Sequence, residues 1–193
     1  MSAVVMTPRI ENRFITQQLS CYFDQVEDRL LLMAHAPHGQ LRTVALTRRL
    51  TERLINAFAT LLMDSSALAM RAPTEARADV VLLEHLSAVT TNRHFNPPPS
   101  ITTPAASAMT TQSSPAPNNP SIPLISSLQV QIEATAFHLH FHTASDEVLI
   151  LTLQRPELHC LLELLRHYAE VANWNIVIET AWFITRPPPY LIN

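Results

Sequence analysis

Three histidines alternate with apolar residues in Phe137-His138-Leu139-His140-Phe141-His142. In an extended chain this alternation puts all three imidazoles on one face, with Leu139 and Phe141 on the other. Imidazole is the commonest metal-ligating side chain, so metal binding is the first chemistry to weigh. Alternate strand residues lie about 6.5–7 Å apart, so adjacent members share an ion only in favourable rotamers. A zinc site needs three or four ligands converging tetrahedrally. His35 is the additional candidate if the segment that carries it packs against this one. The metal reading therefore rests on His138, His140, His142 and His35, and a solvated strand face bearing imidazoles is the plainer account of the same pattern.

A second group is basic: Arg42, Arg48, Arg49 and Arg53 cluster where a helix is expected to begin. Residues 1–63 carry seven Arg against five acids, and residues 124–193 three Arg against seven acids. This asymmetry suits an acidic partner, or pairing of one half of the chain with the other. A single-stranded nucleic-acid reading would add Phe14, Tyr22 and Phe23 as stacking surfaces. A pI near 6.3 and an aromatic share of only 6% weigh against it. A solvated or salt-bridged helix start is the simpler account.

Catalytic chemistry finds little support. The chain has one glycine, Gly39, and all thirteen basic residues are Arg. Phosphate-cradling loops, dinucleotide-binding turns and the nucleophile elbow need several glycines, because the backbone must approach a ligand closely or adopt positive φ. Without lysine there is no Schiff base and no Walker-type phosphate contact. Cys160 follows His159 directly, but helix neighbours project about 100° apart and do not face each other. Asp146-Glu147 reads as an exposed hairpin tip. No catalytic residue and no cofactor are expected.

The elements that hold these residues occur twice. Leu30 to His35 and Leu41 to Arg48, shifted by 107 positions, fall without a gap on Phe137 to His142 and Val148 to Arg155. Leu32 meets Leu139, His35 meets His142, Leu46 meets Leu153, Arg48 meets Arg155 and Leu54 meets Leu161. Each copy reads as a hairpin, with turns at His38-Gly39-Gln40 and Ser145-Asp146-Glu147. A helix follows each hairpin. The first starts near Arg48 or Arg49, with Leu50, Leu54, Ile55, Phe58, Leu61 and Leu62 at three- and four-residue spacing. The second starts near Pro156, a good first-turn residue, and carries Leu158, Leu161, Leu162, Leu165, Tyr168 and Ala169. Alternating runs upstream, Ile15 to Phe23 and Leu124 to Ile132, supply a leading strand to each copy.

Three further segments complete the chain. Thr74 to Thr91 has helical spacing, with Val80, Leu83, Leu86 and Val89 on one stripe. Arg93 to Pro123, rich in Pro, Ser, Thr, Asn and Ala, reads as a flexible linker. Asn175 to Thr185 is apolar on both alternating faces, as in a strand buried in a sheet or an interface. Trp174, Ile176, Ile178, Trp182, Ile184 and Tyr190 are the candidate interface residues there.

The expected fold is α+β: two repeated strand-strand-strand-helix units, pseudo-symmetric, with antiparallel sheets and helices packed on one face. Residues 1–92 form the first unit plus a helix, 93–123 the linker, and 124–193 the second unit plus a terminal strand. An apolar share of 47% against a charged share of 15% favours surface hidden by a partner. No apolar run of about 18 residues and no basic leader occur, and Cys21 and Cys160 read as buried thiols, so a cytoplasmic location away from membranes is expected. The expected function is non-enzymatic: an interaction, assembly or adaptor protein that binds itself or another protein. Nucleic-acid binding through the Arg group and metal binding through the histidines are the alternatives.

Overall fold

The computed structural model describes residues 12–91, 122–133 and 136–184. The protein is mixed α and β, with two sheets and five helices among those residues. Strands β1 (Asn12–Thr16), β2 (Gln18–Asp24), β3 (Arg29–His35) and β4 (Leu41–Leu46) lead into α1 (Arg48–Asp64). A short α2 (Ala67–Arg71), a single 3-10 turn at Thr74–Ala76 and α3 (Arg77–Thr91) follow. The second half holds β5 (Ile125–Glu133), β6 (Ala136–Thr143) and β7 (Glu147–Gln154), then α4 (Arg155–Val171) and α5 (Ala181–Ile184).

Local chemistry sets the boundaries. Gly39 takes φ +77° in the β3–β4 turn, the conformation that a side chain resists. Asp146 holds φ 62° in the β6–β7 turn, where Thr143 Oγ1 accepts from the Glu147 N–H and donates to its carbonyl. Thr47 caps α1 by accepting from the Leu50 N–H at 3.3 Å. At α4, Glu157 Oε2 accepts from the Gln154 N–H at 2.7 Å, and Pro156 sits in the first turn.

Strands β2-β3-β4 form an antiparallel meander, and β5, β6 and β7 form another, extended by β1 running parallel to β7 in the order β1-β7-β6-β5. Alternation fills the space between sheets and helices. Cys21, Leu32 and Val44 line up across the first meander, and Phe141 pairs with Leu149 and Leu139 with Leu151 across the second. These rows meet Ile55, Phe58 and Leu62 of α1 and Leu158, Leu161 and Leu165 of α4 in one buried cluster drawn from both halves. Helix α4 is central: it packs on α1 and α3 and reaches strands of both sheets.

Three sequence expectations differ from the structure. The run Ile15 to Phe23 is not one strand. Phe14 and Thr16 point inward and then Leu19 and Cys21 do, so the buried phase slips by one at Gln17 and the chain passes from one sheet to the other. In α3 the buried face is Val81, His85 and Ala88, while Leu83 is 65% exposed. The helix is rotated from the purely apolar stripe because His85 packs among aromatic rings. The terminal strand is absent: residues 174–180 are irregular and continue into α5. Their backbone groups bond to side chains of α1, so no ladder forms. Adjacent Trp182 and Phe183 are both buried by the helical turn. The linker expected at 93–123 lies almost wholly outside the described residues, as does Tyr190.

Candidate functional site

The histidines of β6 occupy the sheet face away from the core. Phe137, Leu139 and Phe141 are buried, and His138, His140 and His142 are half-buried. His138 shares a hydrogen bond with Thr152 Oγ1 at 3.0 Å, and its Nε2 lies 3.4 Å from Glu133 Oε2. His35 sits in the other sheet, 3.4 Å from Ser20 Oγ. Among the described residues no group of three or more His, Cys, Asp or Glu side chains is placed to hold a metal ion.

The arginine group divides. Arg42 reaches across the halves to Glu147 Oε1 at 3.1 Å, with its guanidinium over the Phe14 ring. Arg48 donates to the Asn175 carbonyl at 3.2 Å. Arg49 and Arg53 are exposed on α1. Two of the four thus join first half to second.

The C-terminal segment wraps α1. Asn56 Nδ2 donates to the Val177 carbonyl at 2.8 Å, Glu52 Oε1 accepts from the Val177 N–H, and Asn56 Oδ1 accepts from the Glu179 N–H. Trp174 Nε1 donates to Asp28 Oδ1 at 2.7 Å, and Trp182 Nε1 to the Ala59 carbonyl at 3.1 Å. Both tryptophans are buried, Ile176 and Ile178 pack partly against the core, and Ile184 is exposed.

A polar seam between α3 and α4 went unread in the sequence. Arg155 donates through Nε and Nη2 to Glu84 Oε2, and it also reaches Ser65 Oγ and the Leu62 carbonyl. His85 Nε2 lies 3.4 Å from Glu163 Oε2, and Glu163 also pairs with Arg166. The His85 and His159 rings lie tilted with centroids 5.4 Å apart, both meet Trp182 edge to face, and Phe183 meets His85 edge to face. His159 is 1% exposed, and neither ring nitrogen has a hydrogen-bond partner. Burial above all, then the neighbouring His85 and Arg155, push it down to about 3. It is neutral at pH 7. Burial alone would raise the Glu163 carboxyl, but hydrogen bonds from His85 and Arg166 outweigh it and hold the group at about 2. The signal was present: Arg155, His159, Glu163, Arg166 and Glu170 recur at three- and four-residue spacing along a helix otherwise rich in leucine.

The seam is a set of ion pairs closed over by aromatic rings. Its nearest thiol, Cys160, is buried and directed at the Ala88 carbonyl, 3.6 Å away. No family model, no curated protein and no solved structure matches this chain.

Proposed function

We propose that this chain is a non-enzymatic, self-associating interaction protein whose two halves descend from one strand-strand-strand-helix unit. One observation carries the reading: the segment ahead of each meander meets the last strand of the other in a single register, as strand β1 in one case and as a single bridge at Leu124 in the other. In the parallel pair of β1 and β7, partners differ by 135 positions, as in Asn12 and Glu147. The isolated parallel bridge pairs Ala45 of β4 with Leu124, just ahead of β5. Shifting Ala45 forward by 107 and Leu124 back by 107 gives positions 152 and 17, again 135 apart and the next step of the β1–β7 ladder. The segment before each meander thus lies along the last strand of the other meander. The Ala45 N–H donates to the Pro123 carbonyl at 2.8 Å, within this second exchange.

Element boundaries support the same reading. Helices α1 and α4 are both 17 residues long and start at Arg48 and Arg155, 107 apart. A unit of three strands and one helix leaves an apolar sheet face and an apolar helix stripe uncovered, and a second copy covers them. Association is then the ancestral habit of the unit, retained inside one chain.

Support for a binding role comes from the surface. Val130 and Ile132 on β5 remain exposed on the same sheet face as the core rows, unlike scattered single apolar residues. The non-enzymatic reading draws on the single glycine, the missing lysines and a seam whose His159, without a hydrogen bond, is sealed from solvent. Cys21 and Cys160 are buried and unbridged, which suits a reducing cytoplasm. No described helix is long and apolar enough to cross a membrane.

Light scattering coupled to size exclusion, from about 1 to 100 µM, tests the reading. A mass above that of one chain, rising with concentration, is expected. A strict monomer that retains no protein partner, or that captures single-stranded oligonucleotides with steep salt dependence, contradicts it.

A further inference from the structure

We infer that the β5 edge pairs with the β5 edge of a second copy, antiparallel about a two-fold axis through Val130, giving one eight-stranded sheet across a homodimer. This deepens the self-association reading and rests on it.

Among the described residues β5 is an outer strand of its sheet, bonded to β6 on one side only. It is nine residues long, against five for β1, seven for β2 and six for β4, the other outer strands among the described residues. Proteins ordinarily guard such an edge with proline, with protruding charge or with a bulge. Here there is no proline, and the one charged residue is Glu133. That carboxylate is drawn back along its own sheet, 3.2 Å from Gln131 Nε2 and 3.4 Å from His138 Nε2. The one guard is the irregularity between Ile125 and Ser127. It limits regular pairing to Ser127–Glu133, a segment whose midpoint is Val130.

That midpoint decides the register. A two-fold axis normal to the sheet keeps like faces together, so paired positions must sum to an even number. Centred on Val130, Leu128 meets Ile132 of the second copy, Val130 meets its own equivalent, and Gln129 meets Gln131. Ser127 then meets Glu133, and the two carboxylates stand six residues apart, about 20 Å. All seven residues pair and no like charges face each other. Centring one position either way shortens the ladder and leaves Leu128 or Ile132 without an apolar partner. The exposed side chains have the geometry this needs: Val130 is 38% and Ile132 54% exposed, on the face that buries Leu139 and Phe137 deeper in. The dimer extends the apolar inner surface over the rim, where one chain alone leaves it in water.

The test uses the full chain carrying Val130→Cys under mild oxidation. Opposite residues of an antiparallel pair have Cβ atoms about 4.5–5.5 Å apart, so a disulfide, which needs about 3.5–4.5 Å, is reached by a small approach of the two edges. A disulfide-linked dimer is expected on a non-reducing gel. Ile132→Cys, about 14 Å from its own equivalent, should not link. Val130→Lys should weaken the dimer at least tenfold in light scattering while its thermal unfolding midpoint stays within a few degrees. A wild-type dimer that persists in Val130→Lys and does not link through Val130→Cys overturns the β5 interface and leaves self-association standing. Linking through Ile15→Cys on β1 instead would move the interface to that edge and overturn the proposal equally. A wild-type chain that stays monomeric at 100 µM removes both readings. Should Val130→Lys fail to fold, the pattern of cysteine linking decides alone.

Discussion

Acid should loosen this protein well above the range where its carboxylates titrate, and His159 should be the reason. In the unfolded chain an imidazole takes its proton near 6.5, and in the folded protein the buried ring resists until about 3. Between those values the unfolded state holds one more proton than the folded state, so folding stability falls as pH falls. The slope is about 1.4 kcal/mol per pH unit, so His159 alone removes about 2 kcal/mol between pH 7 and pH 5. With the ring 1% exposed, solvent screening discounts little of this. Glu163 titrates its unfolded form near 4.5 and its folded form near 2, so its contribution is lost progressively as pH falls through that interval, below the pH 5 of this comparison. Urea denaturation at pH 7 and pH 5, on the wild type and on His159→Leu, isolates the contribution of His159. The variant should match or exceed the wild type at pH 7, because it removes a buried ring with no hydrogen-bond partner. Its loss on acidification should be smaller by about 2 kcal/mol. Parallel losses in the two proteins would refute the reasoning, since His159 would then be hydrated or already charged.

Other perturbations separate the polar seam from the surface. Trp182→Ala should cost about 3–5 kcal/mol in chemical denaturation, because it empties the roof over both histidines and removes the indole hydrogen bond to the Ala59 carbonyl. Arg155→Ala leaves Glu84 and the Leu62 carbonyl without their shared donor in a half-buried site, and about 2–3 kcal/mol should be lost. Arg42→Ala breaks an ion pair whose arginine is largely solvated, and a double-mutant cycle with Glu147→Ala should return a coupling below about 1 kcal/mol. Neither thiol should react with a thiol-specific reagent in native buffer, because burial raises the Cys21 thiol far above its ordinary range and Cys160 is equally enclosed. Both should react on unfolding.

Where a residue's periodicity and its packing agree, the sequence was enough. Strands β3, β4, β6 and β7 and helices α1 and α4 lie where alternation or 3.6-residue spacing puts them, because their buried faces are uninterrupted apolar rows. The misreadings fall where packing overrides a local pattern. Gln17 ends β1 through a one-residue slip of phase that a count of apolar residues averages away. His85 displaces Leu83 from the inner face of α3 because aromatic partners arrive from α5, more than ninety residues on. The 174–180 segment looks like a two-faced strand, yet Glu52 and Asn56 of α1 satisfy its backbone. The sites follow the same rule. Histidines on one strand face were visible in the sequence, and so was the arginine group. That Arg42 and Arg48 reach into the second half was not, since each contact spans more than a hundred residues.

The two halves complete one another: β1 of the first extends the sheet of the second, and Leu124 of the second bridges Ala45 of the first. Cutting the chain addresses this directly: a protease site introduced between residues 100 and 118 is cleaved in native buffer, and the digest is run on size exclusion. Fragments that co-elute at the position of the uncut protein, and part only in denaturant, are the predicted result. Two fragments that separate in native buffer, each retaining its own circular dichroism and cooperative melt, would contradict it.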